Sequence, residues 1–190
     1  SMKIVHVIYC LQVGGAETML VDIVNEQAKT NEVSLVIINN QYSKELLATI
    51  NKDVNVILYN RVQKRHSPWA FIKLNWFLMR HKPDVVHVHN ESILSVIPKR
   101  SAKGMFLTAH TTGIEIKNKE KISKIFAIAD VVKDDLLKQG ELPVITIANG
   151  INVGKINKRQ PGTLLNDIMH IIQVARFQQN IKGQDILIKA

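Results

Sequence analysis

The stretch that decides the fold is KIVHVIYCLQVGGAETMLVDIVNEQAK, at residues 3–29. Residues 3–9 are a nearly continuous apolar run, which is typical of a strand buried on both faces of a parallel sheet. Gly14 and Gly15 follow, and they predict a sharp turn whose backbone is not covered by side chains. The residues from there to about Lys29 place apolar side chains at helical spacing. The sequence therefore predicts a strand, a glycine turn and an amphipathic helix.

The glycine turn is also a candidate binding element. Ligands of open α/β sheets lie at the carboxyl ends of the strands, and bare amides at the start of a helix suit an anion such as phosphate. Gly14 and Gly15 could equally serve only to permit a tight turn, so both interpretations stay open at this point.

Composition narrows the class of protein. The chain has 190 residues, 46% of them hydrophobic, and a net charge of +9. No apolar run reaches the roughly 18 residues of a membrane-spanning helix, and no secretory signal is visible. Cys10 is the only cysteine, so the sequence has no disulfide framework, and we expect the protein to reside in the reducing cytoplasm. The charge favours an anionic partner, and its spread along the chain argues against nucleic acid.

Strands and helices are expected to alternate behind the first unit. Polar breaks and apolar runs separate the segments clearly. Residues 117–124 are dense in lysine and are expected to form a solvated helix face. Further strands are predicted at 32–39, 54–58, 85–89, 104–109, 125–128 and 144–148, and helices at 43–50, 68–82, 91–98 and 130–140.

The helix at 68–82 has two apolar stripes on roughly opposite sides. One stripe can pack on the sheet, whereas the other has to be buried by a different part of the protein or by another molecule. The helix could be buried between neighbours, or it could lie at a membrane interface with its aromatic side chains at head-group depth and its cations on anionic lipid. The first stripe is Trp69, Ile72, Trp76 and Met79, flanked by Lys73 and Arg80, and the second is Phe71, Leu74 and Leu78.

Histidines mark the ends of two predicted strands. His87 and His89 are two residues apart and share one face of a strand. Such a pair could bind a metal, but no cluster of carboxylates accompanies it, so structural or cleft-lining roles are favoured. His110 follows a buried strand and is succeeded by small polar residues, which predicts that it lies in the cleft beside the glycine turn.

The composition changes near the end of the chain. Residues 2–152 predict one α/β domain, residues 153–167 a polar, basic linker, and residues 168–190 the first strand, turn and helix of an incomplete second domain. Such a unit cannot bury a core by itself. Its strand, at 169–174, is therefore expected to be disordered or to pair with a second copy in a dimer.

The order of several short motifs resembles that of retaining glycosyltransferases of family 4. The resemblance implies the GT-B fold, in which two Rossmann-like domains, each a parallel sheet flanked by helices, face each other across a cleft. It covers essentially the whole chain, with the second domain truncated. The motifs are Gly14-Gly15-Ala16-Glu17, Pro83-Asp84-Val85-Val86-His87-Val88-His89, Thr108-Ala109-His110, Asn149-Gly150-Ile151, and Val174-Ala175-Arg176-Phe177 with Lys182-Gly183.

The resemblance also implies roles for particular residues. The first domain of that family mainly binds the acceptor, and the second mainly binds the nucleotide-sugar donor, here UDP- or GDP-linked. The family generally needs no metal, because fixed cations and helix-start amides can stabilise the leaving diphosphate. His110 would be the catalytic cleft histidine; Gly14, Gly15, Arg176 and Lys182 would bind the donor diphosphate; Glu17, His89 and Thr111 would line the acceptor side.

The resemblance implies a hexosyltransferase that extends a glycan or a lipid-linked acceptor in surface polysaccharide synthesis, in the cytoplasm and at the inner face of the membrane. There are departures: Asn152 stands where the family often has Asp, and Ala129-Asp130 where a serine is common. The family's paired glutamates are not found within the 190 residues, so these residues alone are expected to be inactive. Two other classes stay open, a non-catalytic module that binds an anion or a partner chain, and a metal hydrolase using His87, His89 and His110.

Overall fold

The computed structural model describes residues 1–63, 67–150, 153–155, 171–174 and 183–189. The chain divides into two compact units, Ser1–Asn152 and Val153–Ala190. No helix in the described ranges combines the length and the apolar character needed to cross a lipid bilayer.

The first unit is built on one seven-stranded sheet in which every strand pair is parallel. The spatial order is β3-β2-β1-β4-β5-β6-β7, so the first strand lies at the centre. The strands are β1 Lys3–Ile8, β2 Glu32–Asn39, β3 Asn55–Arg61, β4 Val85–Val88, β5 Gly104–Ala109, β6 Lys124–Ala127 and β7 Val144–Thr146; the helices are α1 Gly15–Gln27, α2 Lys44–Ala48, α3 Trp69–His81 and α4 Asp130–Leu137.

Alternate residues of the central strands supply two separate cores. Ile4 and Ile8 of β1 belong to the core that includes the inner face of α1, whereas Val5 and Val7 belong to the core that includes the inner faces of α3 and α4. A strand that is covered on both sides needs apolar residues at successive positions. The predicted α/β, Rossmann-like sheet flanked by helices is therefore confirmed.

The lysine-rich segment differs from its prediction. Instead of a helix at 117–124, a single 3-10 turn at Lys119–Lys121 leads directly into β6. The Lys119 ammonium donates to the Gln139 carbonyl at 2.7 Å, and the Ser123 amide donates to the Met105 carbonyl at 2.7 Å. These bonds hold the backbone extended beside β5, which lysine content alone does not reveal. The segment predicted as a helix at 91–98 is likewise a 3-10 helix, at Glu91–Ser95.

Among its described residues, the second unit carries a 3-10 helix at Val153–Lys155 and one α-helix, α5, at Gln184–Lys189, within the range 168–190 where a helix is predicted. The strand predicted at 169–174 is not present at its described residues, 171–174, which are in no strand. Ile172 is 82% exposed, and a strand without a neighbour has no ladder to stabilise it. Residues 169 and 170, Arg176 and Lys182 lie outside the described residues. Dimerisation through this segment stays a prediction.

Candidate active site at the carboxyl edge of the sheet

A pocket of about 470 Å³ opens where β1, β4 and β5 end. The segments after these three strands form its walls, as is usual for ligand sites of open α/β sheets. Glu17, His89, His110 and Thr111 all line it. The structure therefore brings together four residues that the sequence predicts for one cleft.

His110 follows β5 and is partly buried in this pocket. Its Nδ1 atom is buried and has no hydrogen-bond partner among the residues that the structure describes. Burial lowers the pKa of its imidazole, and the negative charge of Glu17 opposes that shift. The ring is therefore neutral at physiological pH. A neutral imidazole with an open position can form a hydrogen bond to a ligand hydroxyl or oxyanion.

Glu17 lies in the first turn of α1 and folds back over Gly14. A Cβ atom at Gly14 would overlap the Glu17 carboxylate, whereas a Cβ at Gly15 would meet nothing. Gly14 has extended backbone, with φ of −170°, so its backbone angle does not require glycine, and the flexible Glu17 side chain is the group in contact with it. Gly14 is thus covered by a carboxylate, contrary to the expectation of bare backbone, whereas Gly15 is exposed. Neither glycine lines the pocket. An anion binding at Gly14 requires the Glu17 side chain to rotate away.

Polar residues from neighbouring strands hold the turn after β1. The Tyr9 amide donates to Asn90 Oδ1 at 3.0 Å, and the Leu11 amide donates to the Gln41 carbonyl at 3.0 Å. Asn90 itself lines the pocket. Asn90 was not predicted from the sequence, although its position after the strand-end His89 was an available signal.

A stack of three histidines lies next to the pocket. His6 Nε2 and Gln27 Oε1 are 2.7 Å apart, and His6 Nδ1 is 3.1 Å from His89 Nε2. Because the Gln27 oxygen can only accept, His6 donates from Nε2, and its Nδ1 then accepts from His89. His87 Nε2 lies 2.7 Å from Thr108 Oγ1. His6 was missed from the sequence, because a single histidine in a buried strand gives no local signal.

The geometry of this stack does not suit a single metal ion. One ring nitrogen from each of His6, His87 and His89 lies within 4.8 Å of the others. Yet the His87 and His89 rings are stacked, with centroids 4.6 Å apart and planes 16° apart. Imidazole lone pairs point outward in the ring plane, so nearly parallel rings cannot direct them to one tetrahedral centre at about 2 Å.

We expect the purified chain to carry far less than one equivalent of zinc or iron after incubation with either metal and desalting. Elemental analysis by mass spectrometry measures this directly. A His6→Gln, His89→Gln double variant is the control for metal bound elsewhere. Stoichiometric metal that is lost in this variant would contradict the interpretation and favour the hydrolase.

The sheet order and the pocket at the carboxyl edge define a Rossmann-like α/β domain. The chain belongs to glycosyltransferase family 4, since the model of Glycosyltransferase Family 4 matches residues 13–155. A comparison with curated proteins finds no match.

Two solved structures show the same fold. Anabaena HepE, crystallised in complex with UDP and glucose, is 16% identical with a TM-score of 0.59, over 81% of this chain and 46% of that one. A glycosyltransferase from Rickettsia africae is 14% identical with a TM-score of 0.59, over 81% of this chain and 45% of that one. The chain therefore spans less than half the length of these structures.

Proposed function

We propose that the chain is the acceptor-side part of a retaining hexosyltransferase. It would move a hexose from a UDP- or GDP-linked donor to a glycan or a lipid-linked acceptor during surface polysaccharide synthesis, at the cytoplasmic face of the membrane. The observation that carries the proposal is the convergence of His110, His89, Glu17 and Thr111 in one pocket of a family 4 domain.

The pocket has the size and the chemistry for a sugar. A volume of about 470 Å³ falls within the usual range for small-molecule sites. Its walls offer an imidazole, a carboxylate and a hydroxyl, which can pair with the hydroxyl groups of a hexose. In the proposed reaction the bond from the anomeric carbon to the donor diphosphate breaks, and a bond to an acceptor oxygen forms. The acceptor proton leaves with the diphosphate.

Charge stabilisation of the departing diphosphate is assigned to other residues. We propose that Arg176 and Lys182 supply the cations and that Gly14 and Gly15 supply helix-start amides, once Glu17 has rotated off Gly14. Preorganised donors of this kind stabilise developing negative charge without a metal or another cofactor.

We expect the 190 residues alone to turn over no nucleotide sugar, because donor binding in the proposed reaction needs a complete second domain. Isothermal titration and a nucleotide-release assay with UDP- and GDP-hexoses test this on the 190 residues and on the full-length gene product. Circular dichroism of the shorter protein serves as the folding control. Turnover of a nucleotide sugar by the 190 residues alone would contradict the proposal that donor binding needs a complete second domain.

A further inference from the structure

One side of α3 is apolar and faces solvent. Trp69 is 66% exposed, Ile72 50%, Trp76 58% and Met79 58%. The opposite side of the helix is anchored in the core by Leu74 and other buried residues. We call the four exposed residues the α3 outer face. Both tryptophans of the chain belong to it.

The α3 outer face lies within a strongly basic stretch of the sequence. Residues 54–83 contain six Lys or Arg and no Asp or Glu. Lys73 and Arg80 lie beside the tryptophans at helical spacing, and the Arg80 guanidinium is 5.0 Å from the centre of the Trp76 ring. Within the described part of the chain, neither cation forms an ion pair. The face therefore combines aromatic side chains with uncompensated positive charge.

A pocket of about 380 Å³ adjoins the carboxyl-terminal end of this face. Met79 lines it together with three cations, Lys82, Arg100 and Lys103. Lys103 is paired with Asp84 at 2.6 Å, which leaves Lys82 and Arg100 without a carboxylate partner among the described residues. The pocket thus offers two free cations next to an apolar helix face.

We propose that the α3 outer face docks on an anionic lipid bilayer. Trp69 and Trp76 would lie at head-group depth, Lys73 and Arg80 would lie on lipid phosphates, and the adjoining pocket would hold one lipid head group. Aromatic rings on an apolar helix face, flanked by Lys and Arg, are typical of helices that lie in the membrane interface. A second copy of the chain fits this face poorly, because its like charges would meet. The proposal does not depend on the sugar chemistry.

Vesicle sedimentation of the purified chain tests the proposal. We expect binding to vesicles of phosphatidylglycerol and phosphatidylcholine at low salt, little binding to phosphatidylcholine alone, and release at high salt, since screening removes the electrostatic attraction. Tryptophan emission should shift to the blue on binding, and brominated lipids should quench it, because the only two tryptophans lie on the docking face.

Two variants address the two parts of the face. Lys73→Glu with Arg80→Glu should lower the partition coefficient by at least about 25-fold, since each basic residue near an anionic surface contributes about fivefold. Trp69→Ser with Trp76→Ser should lower it by a similar factor through the loss of buried apolar area. The matched controls are Lys44→Glu with Lys133→Glu, and Val131→Ser, an exposed apolar residue of α4. Circular dichroism verifies folding of each variant.

Three results would overturn the proposal. One is the absence of binding to anionic vesicles at low salt. Another is binding that the control variants weaken as much as the α3 variants do. The last is concentration-dependent self-association that the tryptophan variant abolishes, without vesicle binding, which would make the face an interface between copies of the chain.

Discussion

Replacing His110 with Ala in the full-length protein is expected to lower kcat by about 10²–10³ and to leave the dissociation constant of the nucleotide sugar within about twofold. The loss corresponds to one preorganised hydrogen-bond donor aimed at the reacting groups. His110 is placed for that role, because it lies in the pocket with a neutral ring and an unpaired nitrogen. Donor affinity should be spared, since the proposed cations are on other residues. Steady-state kinetics and titration calorimetry give the two quantities.

His81→Ala provides the matched control for the His110 variant, because His81 lies at the end of α3 and not in the pocket. Its kcat should stay close to that of the unmodified protein. An unchanged kcat in His110→Ala would remove this histidine from the active site. If a loss of affinity for the nucleotide sugar accounts for the whole loss of turnover in His110→Ala, His110 is instead a donor-binding residue.

Acidification from pH 7 to pH 5 is expected to lower the free energy of unfolding of the chain by at least about 2 kcal/mol, which is the contribution of His6. Burial lowers the pKa of His6 to about 4, and it holds the pKa values of His87 and His89 well below the usual value, which adds to the loss. Between the unfolded pKa of about 6.5 and the folded value, only the unfolded state binds the proton. Stability is therefore complete above pH 6.5 and falls with acidification, by about 1.4 kcal/mol per pH unit for each such histidine. Urea denaturation at a series of pH values measures the slope.

His6→Gln and Leu35→Ala separate titration from general destabilisation. The His6 variant should lose about 1.4 kcal/mol per pH unit from the slope between pH 6.5 and pH 5, because it removes one of the titrating groups. Leu35→Ala, at a fully buried position of β2, should lower stability by about 2–5 kcal/mol at every pH and leave the slope intact. A stability that does not change between pH 7 and pH 5 would show that the histidines are not buried as neutral rings.

The local sequence pattern was sufficient to predict strands that are buried on both faces, because such strands have apolar residues at successive positions. The run at β1 predicted the central strand, and the periodic residues behind Gly15 predicted α1. Pattern failed where distant partners decide the structure. The lysines of 119–121 are held in a 3-10 turn by carbonyls such as Gln139, about 20 residues away in sequence.

In the candidate site too, features set by local sequence were predicted, and features that depend on residues far apart in the sequence were not. The strand-end position of His110 was enough to predict that it lies in a cleft, because ligand sites of parallel sheets lie at the carboxyl ends of the strands. The place of His89 in the same cleft came from the family resemblance. The contact of His6 with His89 spans 83 residues and depends on β1 being the neighbour of β4. The Glu17 carboxylate over Gly14 depends on a side-chain conformation. No spacing in the sequence encodes either feature.

This domain is proposed to bind the acceptor of a sugar transfer. Incubation of the full-length protein with UDP- and GDP-hexoses, with and without glycan or lipid-linked acceptors, and identification of the product by NMR, test this proposal. We expect acceptor-dependent release of UDP or GDP and a new glycosidic bond with the anomeric configuration of the donor. A folded protein that binds and consumes none of these donors would rule out the proposed transfer, and a product of inverted configuration would rule out the retaining mechanism.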